Sequence, residues 1–242
     1  MTTPETPTIT AATEGSAAPA APAAPAAPAS RVPGAASRDR LLDAAAALFY
    51  RDGVGIGVEA LCKAAGVSKR SMYQLFGSKD EVLAASLERS GPAYQELLLP
   101  APDDPRPPRA LMLHVFERLD ALSATSEYQG CPFVSTATEI KDPGHPASLV
   151  ARRYKQALTA FFHTQAARAG VSDPETLARQ LTIVFDGAGA RTVVQDQPLD
   201  GLATATALVL LNAAGLTDAA QSASDSSDSA SAEGERVRAQ AG

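Results

Sequence analysis

Apolar residues between positions 37 and 216 recur three and four places apart, which puts them on one face of an α-helix. The first such segment ends at Gly53, and Ser37 is expected to cap its start. Its apolar face consists of Leu41, Leu42, Ala45, Leu48 and Phe49. The pattern therefore predicts a first helix between Ser37 and Gly53.

Three more helices are predicted in quick succession, separated by single glycines. The second has its apolar residues at positions i, i+3, i+4 and i+7, namely Val58, Leu61, Cys62 and Ala65. Gly66 ends it, and Ser68 is placed to cap a third helix with the apolar residues Met72, Leu75 and Phe76. Gly77 ends the third helix, and Ser78 with Glu81 has the spacing of a capping box. Two short helices around a turn at Gly66 are typical of a helix-turn-helix.

Beyond the fourth helix, Gly91-Pro92 is expected to break the chain, and helices continue after it. Residues 100–108 are rich in proline and are predicted to form a loop. Further helices are expected at about residues 109–124, 132–140, 147–169, 174–195 and 200–215, with Pro174 at the first position of its helix. Because no segment alternates as a strand would, the predicted fold is all-α.

The two ends of the chain have a different composition. Residues 1–36 consist largely of Thr, Pro and Ala, and residues 217–242 are rich in Ser, Ala and Asp. Neither supplies the large apolar side chains of a core, so both are predicted to be disordered tails. With no apolar run of about 18 residues and no secretory signal at the start, a cytoplasmic protein without a membrane partner is expected.

The net charge of −6 argues at first sight against nucleic acid. Residues 37–90, however, hold eight basic and seven acidic side chains, a net charge of +1. A net charge of +1 is too small to indicate binding to nucleic acid. Only the positions of the charged residues within the segment can indicate it.

The third helix has a polar side opposite its apolar one. Arg70 can bond guanine and Gln74 adenine with two hydrogen bonds each, whereas Lys69 and Tyr73 suit phosphates. Lys79 stands at the start of the fourth helix, where free N–H groups also favour a phosphate. The alternative is a solvated basic surface on an ordinary helical bundle.

These residues resemble a known family. The sequences RLLDAAAALFYRDG (40–53), GVSKRSMYQLF (66–76) and SKDEVL (78–83) are similar to the first four helices of the TetR family of bacterial one-component regulators. GCPFVSTATEI (130–140) and the later helices resemble its ligand-binding and dimerisation domain. The resemblance implies a three-helix helix-turn-helix head at residues 37–96 and an effector and dimer domain at residues 97–216.

The same resemblance implies a homodimer that places each third helix in the major groove of an operator. By family analogy, the DNA contacts are Ser68, Lys69, Arg70, Ser71, Tyr73 and Lys79. One departure is Gly57-Val58, where many members carry Thr or Ser for a phosphate. The last two helices would pair with their copies in a dimer, although the stripe of Leu177, Leu181 and Phe185 also suits simple core packing.

An effector cavity is the least specific expectation. Its candidate lining is Leu111, Val115, Leu119, Phe133, Tyr154, Leu158 and Phe161, all of which would equally suit an ordinary core. Cys131 precedes Pro132 near a helix start, where a thiol either senses a reactive compound or is simply buried.

No catalytic constellation or metal-ligand spacing is found in the sequence, and the three histidines are scattered. We therefore expect no enzyme activity, no metal and no cofactor. The predicted function is a sequence-specific DNA-binding regulator, a repressor released by an unknown small-molecule effector. The alternative is a protein-binding adaptor whose head no longer reads DNA.

Overall fold

The computed structural model describes residues 33–217, and within this range it contains nine α-helices and no strand. Their bounds are α1 (Pro33–Asp52), α2 (Val58–Ala65), α3 (Lys69–Leu75), α4 (Lys79–Leu98), α5 (Pro108–Ser123), α6 (Pro132–Ile140), α7 (Pro146–Arg168), α8 (Pro174–Gln195) and α9 (Leu202–Ala213). The all-α prediction is confirmed. The predicted disorder of residues 1–32 and 218–242 lies outside the described range.

The start of α1 differs from the prediction. The helix begins at Pro33, so residues 33–36, which were expected in the disordered tail, are helical. Ser37 lies inside the helix rather than at its cap, and its hydroxyl accepts a hydrogen bond from the Arg40 guanidinium (3.2 Å). Proline is well suited to a first helical position because its missing N–H would have no partner there.

Gly91-Pro92 does not break the chain, because α4 runs through it to Leu98. Pro92 has no N–H, so the Glu88 carbonyl loses its usual helical donor. The Tyr154 hydroxyl of α7 donates to that carbonyl instead (3.3 Å). A Cβ on Gly91 would clash with the Tyr154 ring, so only glycine admits this ring. The Gly-Pro pair is thus the place where α7 docks on α4.

Helices α1–α3 form an N-terminal head that packs on the first half of α4. Its core consists of fully or almost fully buried aliphatic side chains, namely Leu41, Leu42, Leu61, Met72, Val82 and Leu83. The Ser78 hydroxyl accepts from the Glu81 N–H (3.1 Å), as expected. The Glu81 carboxylate, however, accepts from the Gly77 N–H (2.8 Å) rather than closing on Ser78, so the capping box reaches one residue further back.

The body of the molecule is built around α7, which packs against α4, α5, α6 and α8. Phe116 of α5 and Phe162 of α7 stack with ring centroids 5.6 Å apart, and Phe185 of α8 meets Phe116 edge-on. Asp173 caps α8 by accepting the Thr176 N–H (3.0 Å), which confirms the predicted helix start at Pro174. None of the helices in the described range has the length and apolarity needed to cross a membrane.

Candidate functional site

Helix α3 is held firmly by its inner side. Met72 is fully buried and its sulfur lies 3.8 Å from that of Cys62 in α2. Phe76 is the C-cap residue of the helix. The guanidinium carbon of Arg38 lies over its ring, 5.0 Å from the ring centroid. At the other end, the Ser68 hydroxyl accepts the Ser71 N–H (3.0 Å) and caps the first turn. The helix therefore has a fixed orientation on the head.

The outer side of α3 carries the residues that the sequence predicts to touch DNA. We call it the recognition face, and it consists of Ser68, Lys69, Arg70, Ser71, Tyr73 and Gln74. Tyr73 is 53% exposed, and Lys69, Arg70 and Gln74 are exposed as well. Within the described residues, Arg70 and Gln74 have no hydrogen-bond or ion-pair partner. Their donors and acceptors are thus available to an outside partner.

Of the two cations on the recognition face, Lys69 and Arg70, Lys69 forms an ion pair within the described structure. Its ammonium lies 2.5 Å from a carboxylate oxygen of Glu59, which projects from α2. Both side chains are exposed, and the contact lowers the pKa of Glu59 and raises the pKa of Lys69. A phosphate approaching Lys69 has to compete with this carboxylate.

Lys79 is the first residue of α4, as the sequence predicts, and its side chain also bonds to another part of the head. Its ammonium donates to the carbonyls of Val54 (2.8 Å) and Ile56 (3.2 Å) in the loop that leads into α2. Gly57, the cap residue of α2, offers no side-chain hydrogen bond. Lys79 therefore holds the entry to α2 from the start of α4, a role that the sequence did not reveal because the loop lies more than twenty residues away.

A cavity of about 360 Å³ lies where the head meets the body. We call it the junction cavity. Its walls come from α1, α4, the end of α5, the segment 125–128 and α6. The lining residues are Ala46, Phe49, Tyr50, Ser86, Leu87, Ser90, Tyr94, Leu97, Leu122, Thr125, Glu127, Tyr128, Pro132, Ser135 and Thr136. Most of these side chains are apolar or carry a hydroxyl group.

Three tyrosines line the junction cavity, and their hydroxyls have different surroundings. The Tyr50 hydroxyl donates to the Gly130 carbonyl (2.9 Å) and accepts the Gln129 N–H (2.8 Å), which ties α1 to the body. The hydroxyl oxygens of Tyr94 and Tyr128 are buried behind the cavity wall, where they lie near each other and near Cys131. Burial raises the pKa of both phenols, so both stay protonated at neutral pH.

The predicted effector residues do not line the junction cavity. Phe133, Tyr154 and Leu158 instead border a second cavity of only about 20 Å³, beside Cys131. The other four predicted residues line neither cavity: Leu111, Val115 and Leu119 are buried, and Phe161 is half-buried against the core. The sequence could not distinguish a cavity wall from a packed core, since both use the same apolar side chains.

Cys131 is buried, with 3% of its surface exposed. Burial raises the pKa of its thiol, which is the opposite of the shift that makes a cysteine reactive. Cys62 is likewise a buried free thiol. The structure therefore favours the second sequence interpretation, in which Cys131 packs as a small apolar residue.

Helices α8 and α9 carry two apolar stripes on different sides. Leu177, Leu181 and Phe185, the stripe considered for a dimer contact, are buried within the protomer. A second stripe faces outward, with 48–76% of each side chain exposed: Ile183, Val193, Val194, Leu202 and Val209. On the inner side of α8, Gly189 leaves room for the Tyr128 hydroxyl, which lies 3.2 Å from where a Cβ would stand.

Comparison with known proteins connects this architecture to one group. The family model for bacterial regulatory proteins of the tetR family matches residues 41–86. The chain is 30% identical over 89 residues to the HTH-type transcriptional regulator YjdC of Escherichia coli K12, a match over 37% of this chain and 47% of that protein. The chain thus spans about half the length of this curated relative.

Solved structures extend the similarity to the body. A crystal structure described as a TetR transcriptional regulator (sav143) from Streptomyces avermitilis MA-4680 is 56% identical, with a TM-score of 0.72 over 75% of this chain and 99% of that one. SCO4454, a TetR-family transcriptional regulator from Streptomyces coelicolor, has 23% identity and a TM-score of 0.65, with coverage of 74% and 94%. The second likeness concerns the fold alone.

Proposed function

Because the chain belongs to the TetR family of bacterial regulatory proteins, which are DNA-binding transcriptional regulators and not enzymes, we propose that it is an operator-specific repressor. It acts in the cytoplasm as a homodimer, and a small molecule bound to the body releases it from DNA. The observation that carries this proposal is the recognition face, an exposed polar surface on a helix whose opposite side is fully anchored.

Arg70 and Gln74 are the residues that read bases in this proposal. Both lie on the exposed side of α3, one helical turn apart, and both lack partners in the described structure. The major groove admits a single α-helix, and arginine pairs with guanine as a glutamine does with adenine. The fixed position of α3 supports such bidentate contacts because they require a defined approach of the side chain.

Contacts to the DNA backbone come from the residues around this pair. Tyr73 and Ser71 carry hydroxyls at the edge of the recognition face, and Lys69 offers a charge once it leaves Glu59. Lys79 contributes chiefly by holding the loop before α2. The partial positive charge at the start of α4 favours a phosphate there. Because such contacts are mainly electrostatic, binding depends strongly on salt.

The dimer forms through the outward stripe of α8 and α9. Five large aliphatic side chains exposed along two neighbouring helices are more than isolated surface residues, and they suit an interface with a second copy. A twofold dimer places two copies of α3 on successive major grooves, so the operator is expected to be palindromic.

The proposal is tested by measuring the binding of the full chain to DNA from upstream of its own gene, by fluorescence anisotropy at several salt concentrations. We expect sequence-dependent binding with log K falling linearly with log salt, by about 0.9 for each phosphate contact. The Arg70→Ala/Tyr73→Ala variant should lose the sequence preference. Arg168→Ala removes an exposed charge at the far end of α7 and should bind like the wild type.

Two outcomes contradict the proposal. If the double variant keeps both affinity and sequence preference, the recognition face is not the part that reads DNA. If the wild-type chain shows no sequence preference on any DNA of its genome, the head has lost its reading function and the chain is better described as a protein-binding adaptor.

A further inference from the structure

We propose that Glu139, in the last turn of α6, is a positioning residue for DNA binding: it holds the loop before α2 and so orients the recognition face. The proposal rests on the proposed function, since only a chain that reads DNA needs an oriented α3. It is carried by a contact between body and head. The Glu139 carboxylate accepts a hydrogen bond from the Val54 N–H (2.8 Å), although the two residues are 85 positions apart.

The backbone before Val54 is shaped to admit this carboxylate. Gly53 has a φ of +81°, a conformation that favours glycine. A Cβ on Gly53 would also stand only 2.8 Å from a carboxylate oxygen of Glu139, which is too close for two such atoms. Two separate properties therefore require glycine here, and one of them is the close approach of Glu139.

The loop is held from two directions. Its Val54 N–H is bound by Glu139 of the body, whereas its Val54 carbonyl accepts a hydrogen bond from Lys79 of the head (2.8 Å). Lys79 also donates to the carbonyl of Ile56 (3.2 Å). Helix α2 begins directly after Gly57, which has no side chain to cap it. The start of α2 thus depends on the hydrogen bonds of Glu139 and Lys79 to the loop.

Helix α6 is attached to the head at its other end as well. The Tyr50 hydroxyl of α1 donates to the Gly130 carbonyl (2.9 Å) and accepts the Gln129 N–H (2.8 Å), just before α6 begins at Pro132. Glu139 stands at the opposite end of this nine-residue helix. A displacement of α6 would therefore be passed both to the end of α1 and to the loop before α2.

The path from this loop to the recognition face is short. In the first turn of α2 the Leu61 N–H bonds to the Gly57 carbonyl (3.2 Å). The next residue, Cys62, contacts Met72 of α3 through their sulfur atoms (3.8 Å). Helix α4 also connects head and body, because its first half packs on α1 and it packs on α7 as well. Glu139 adds a second connection, and this one ends at the helix-turn-helix itself.

The first test measures amide hydrogen exchange of the full chain by NMR, without DNA. Glu139→Ala removes the acceptor, so exchange at Val54 should become about tenfold faster, and exchange at Leu61 about two- to threefold faster. Glu139→Gln keeps an oxygen that can accept, and it should restore most of the protection at Val54. The midpoint of urea unfolding should hardly change, since the contact is exposed and water can serve the freed N–H.

The second test measures the affinity of the same variants for operator DNA. Glu139→Ala should bind about three- to tenfold more weakly and select the same DNA sequence, because the recognition face itself is intact. Loss of a negative charge alone would strengthen DNA binding, so charge does not explain a weakening. Glu139→Gln should bind at least as tightly as the wild type. Glu96→Ala, which removes an exposed carboxylate from α4, is the matched control and should not weaken binding.

A double variant tests whether Glu139 acts through the loop. In the Lys79→Ala background the loop has already lost its bonds from the head, so Glu139→Ala should weaken DNA binding by a smaller factor than it does in the wild type. Equal factors in the two backgrounds would mean that Glu139 does not act through this loop, and they would overturn the proposal.

The other contradicting outcomes are equally definite. The proposal is overturned if Glu139→Ala leaves exchange at Val54 unchanged, if Glu139→Gln behaves like Glu139→Ala, or if Glu139→Ala binds a confirmed operator as tightly as the wild type. The last result would leave the repressor proposal intact. If the wild type has no operator, the repressor proposal fails, and exchange at Val54 and Leu61 still decides whether Glu139 holds the loop.

Discussion

The recognition face and the junction cavity differ in how far their polar groups are exposed to water. On the recognition face, Arg70 and Gln74 are exposed, so water serves them until DNA arrives. At the junction, the hydroxyls of Tyr94 and Tyr128 have almost no accessible surface and lie near each other and near Cys131. The face is complete within one short helix, whereas the cavity is assembled from five parts of the chain.

This contrast indicates where the molecule is open to regulation. The chemistry of the recognition face is set by a helix that Met72 anchors in the core, and no ligand at the junction touches it. The junction cavity, in contrast, is lined by residues of both the head and the body. A small molecule in the junction cavity would contact residues where the head meets the body and none of the residues of the recognition face.

The largest expected effect comes from removing the anchor of the recognition face. Met72→Ala should lower the free energy of unfolding by about 2–5 kcal/mol, because it empties a fully buried site. DNA binding should fall with it, since α3 loses its fixed orientation. Urea unfolding measures the first effect and anisotropy the second. A loss below about 1 kcal/mol would mean that α3 is not held in this way.

The second-largest effect is expected for Gln74, whose substitution should weaken DNA binding without changing the stability of the fold. Gln74→Ala should weaken operator binding by about 1–3 kcal/mol, because a bidentate contact to adenine is lost. Its free energy of unfolding should stay within about 0.5 kcal/mol of the wild type, since the side chain is exposed and unpartnered. Binding and unfolding are measured on the same preparation. Equal affinity for the wild-type operator would remove Gln74 from the reading residues.

At the junction, the buried phenols predict a dependence on alkaline pH. The pKa of Tyr94 and Tyr128 is raised above the ordinary value of 10 in the folded state, so above this pH the unfolded chain loses protons that the folded chain keeps. Stability is therefore fully present below pH 10 and falls as the pH rises further, by roughly 1 kcal/mol for each phenol at about pH 11. Urea unfolding of Tyr94→Phe and the wild type across this range measures the difference, which vanishes if Tyr94 titrates normally.

The docking of α7 on α4 predicts that substitutions of Tyr154 and Pro92 have coupled effects on the free energy of unfolding. Tyr154→Phe should cost about 1 kcal/mol of stability because it leaves the Glu88 carbonyl without a donor. Pro92→Ala restores a backbone N–H that can serve this carbonyl, so the cost of Tyr154→Phe should be smaller in the Pro92→Ala background. A double-mutant cycle by urea unfolding measures the coupling. Strictly additive effects would show that the hydroxyl does not replace the missing helical donor.

The smallest effect concerns the charge next to the recognition face. Glu59→Gln should raise the affinity for operator DNA about two- to fivefold, because Lys69 no longer has to leave an ion pair. The gain should shrink at high salt, which screens exposed charges. Asp196→Asn, an exposed acidic residue at the end of α8, is the matched control and should change nothing. An unchanged affinity in Glu59→Gln would show that Lys69 does not contact the DNA.

Local signals made much of the head predictable. The caps at Ser68 and Ser78 and the glycine at 66 act on residues within one turn, so their effect can be inferred from spacing alone. The same reasoning failed at Gly91-Pro92, because the residue that compensates for the missing N–H is Tyr154 on another helix. Proline does disfavour a helix, and it is tolerated here because of a contact between residues 66 positions apart.

The junction cavity was beyond sequence reasoning for a related physical reason. Apolar residues at helical spacing indicate burial, yet they do not show whether neighbouring helices meet or leave a gap. Helix α5 illustrates this, since Val115 and Leu119 are fully buried core residues and not cavity walls. Tyr94 and Tyr128 carried no signal, because their hydroxyls come together only when α4 packs against the segment 125–128.

The decisive test of the recognition face is selection of bound sites from a random-sequence DNA pool by the wild type and by Arg70→Ala. We expect the wild type to select a palindrome, and Arg70→Ala to select the same palindrome with the preference lost at one base pair in each half. Loss of preference spread evenly over all positions, or an unchanged site, would contradict the assignment of the recognition face.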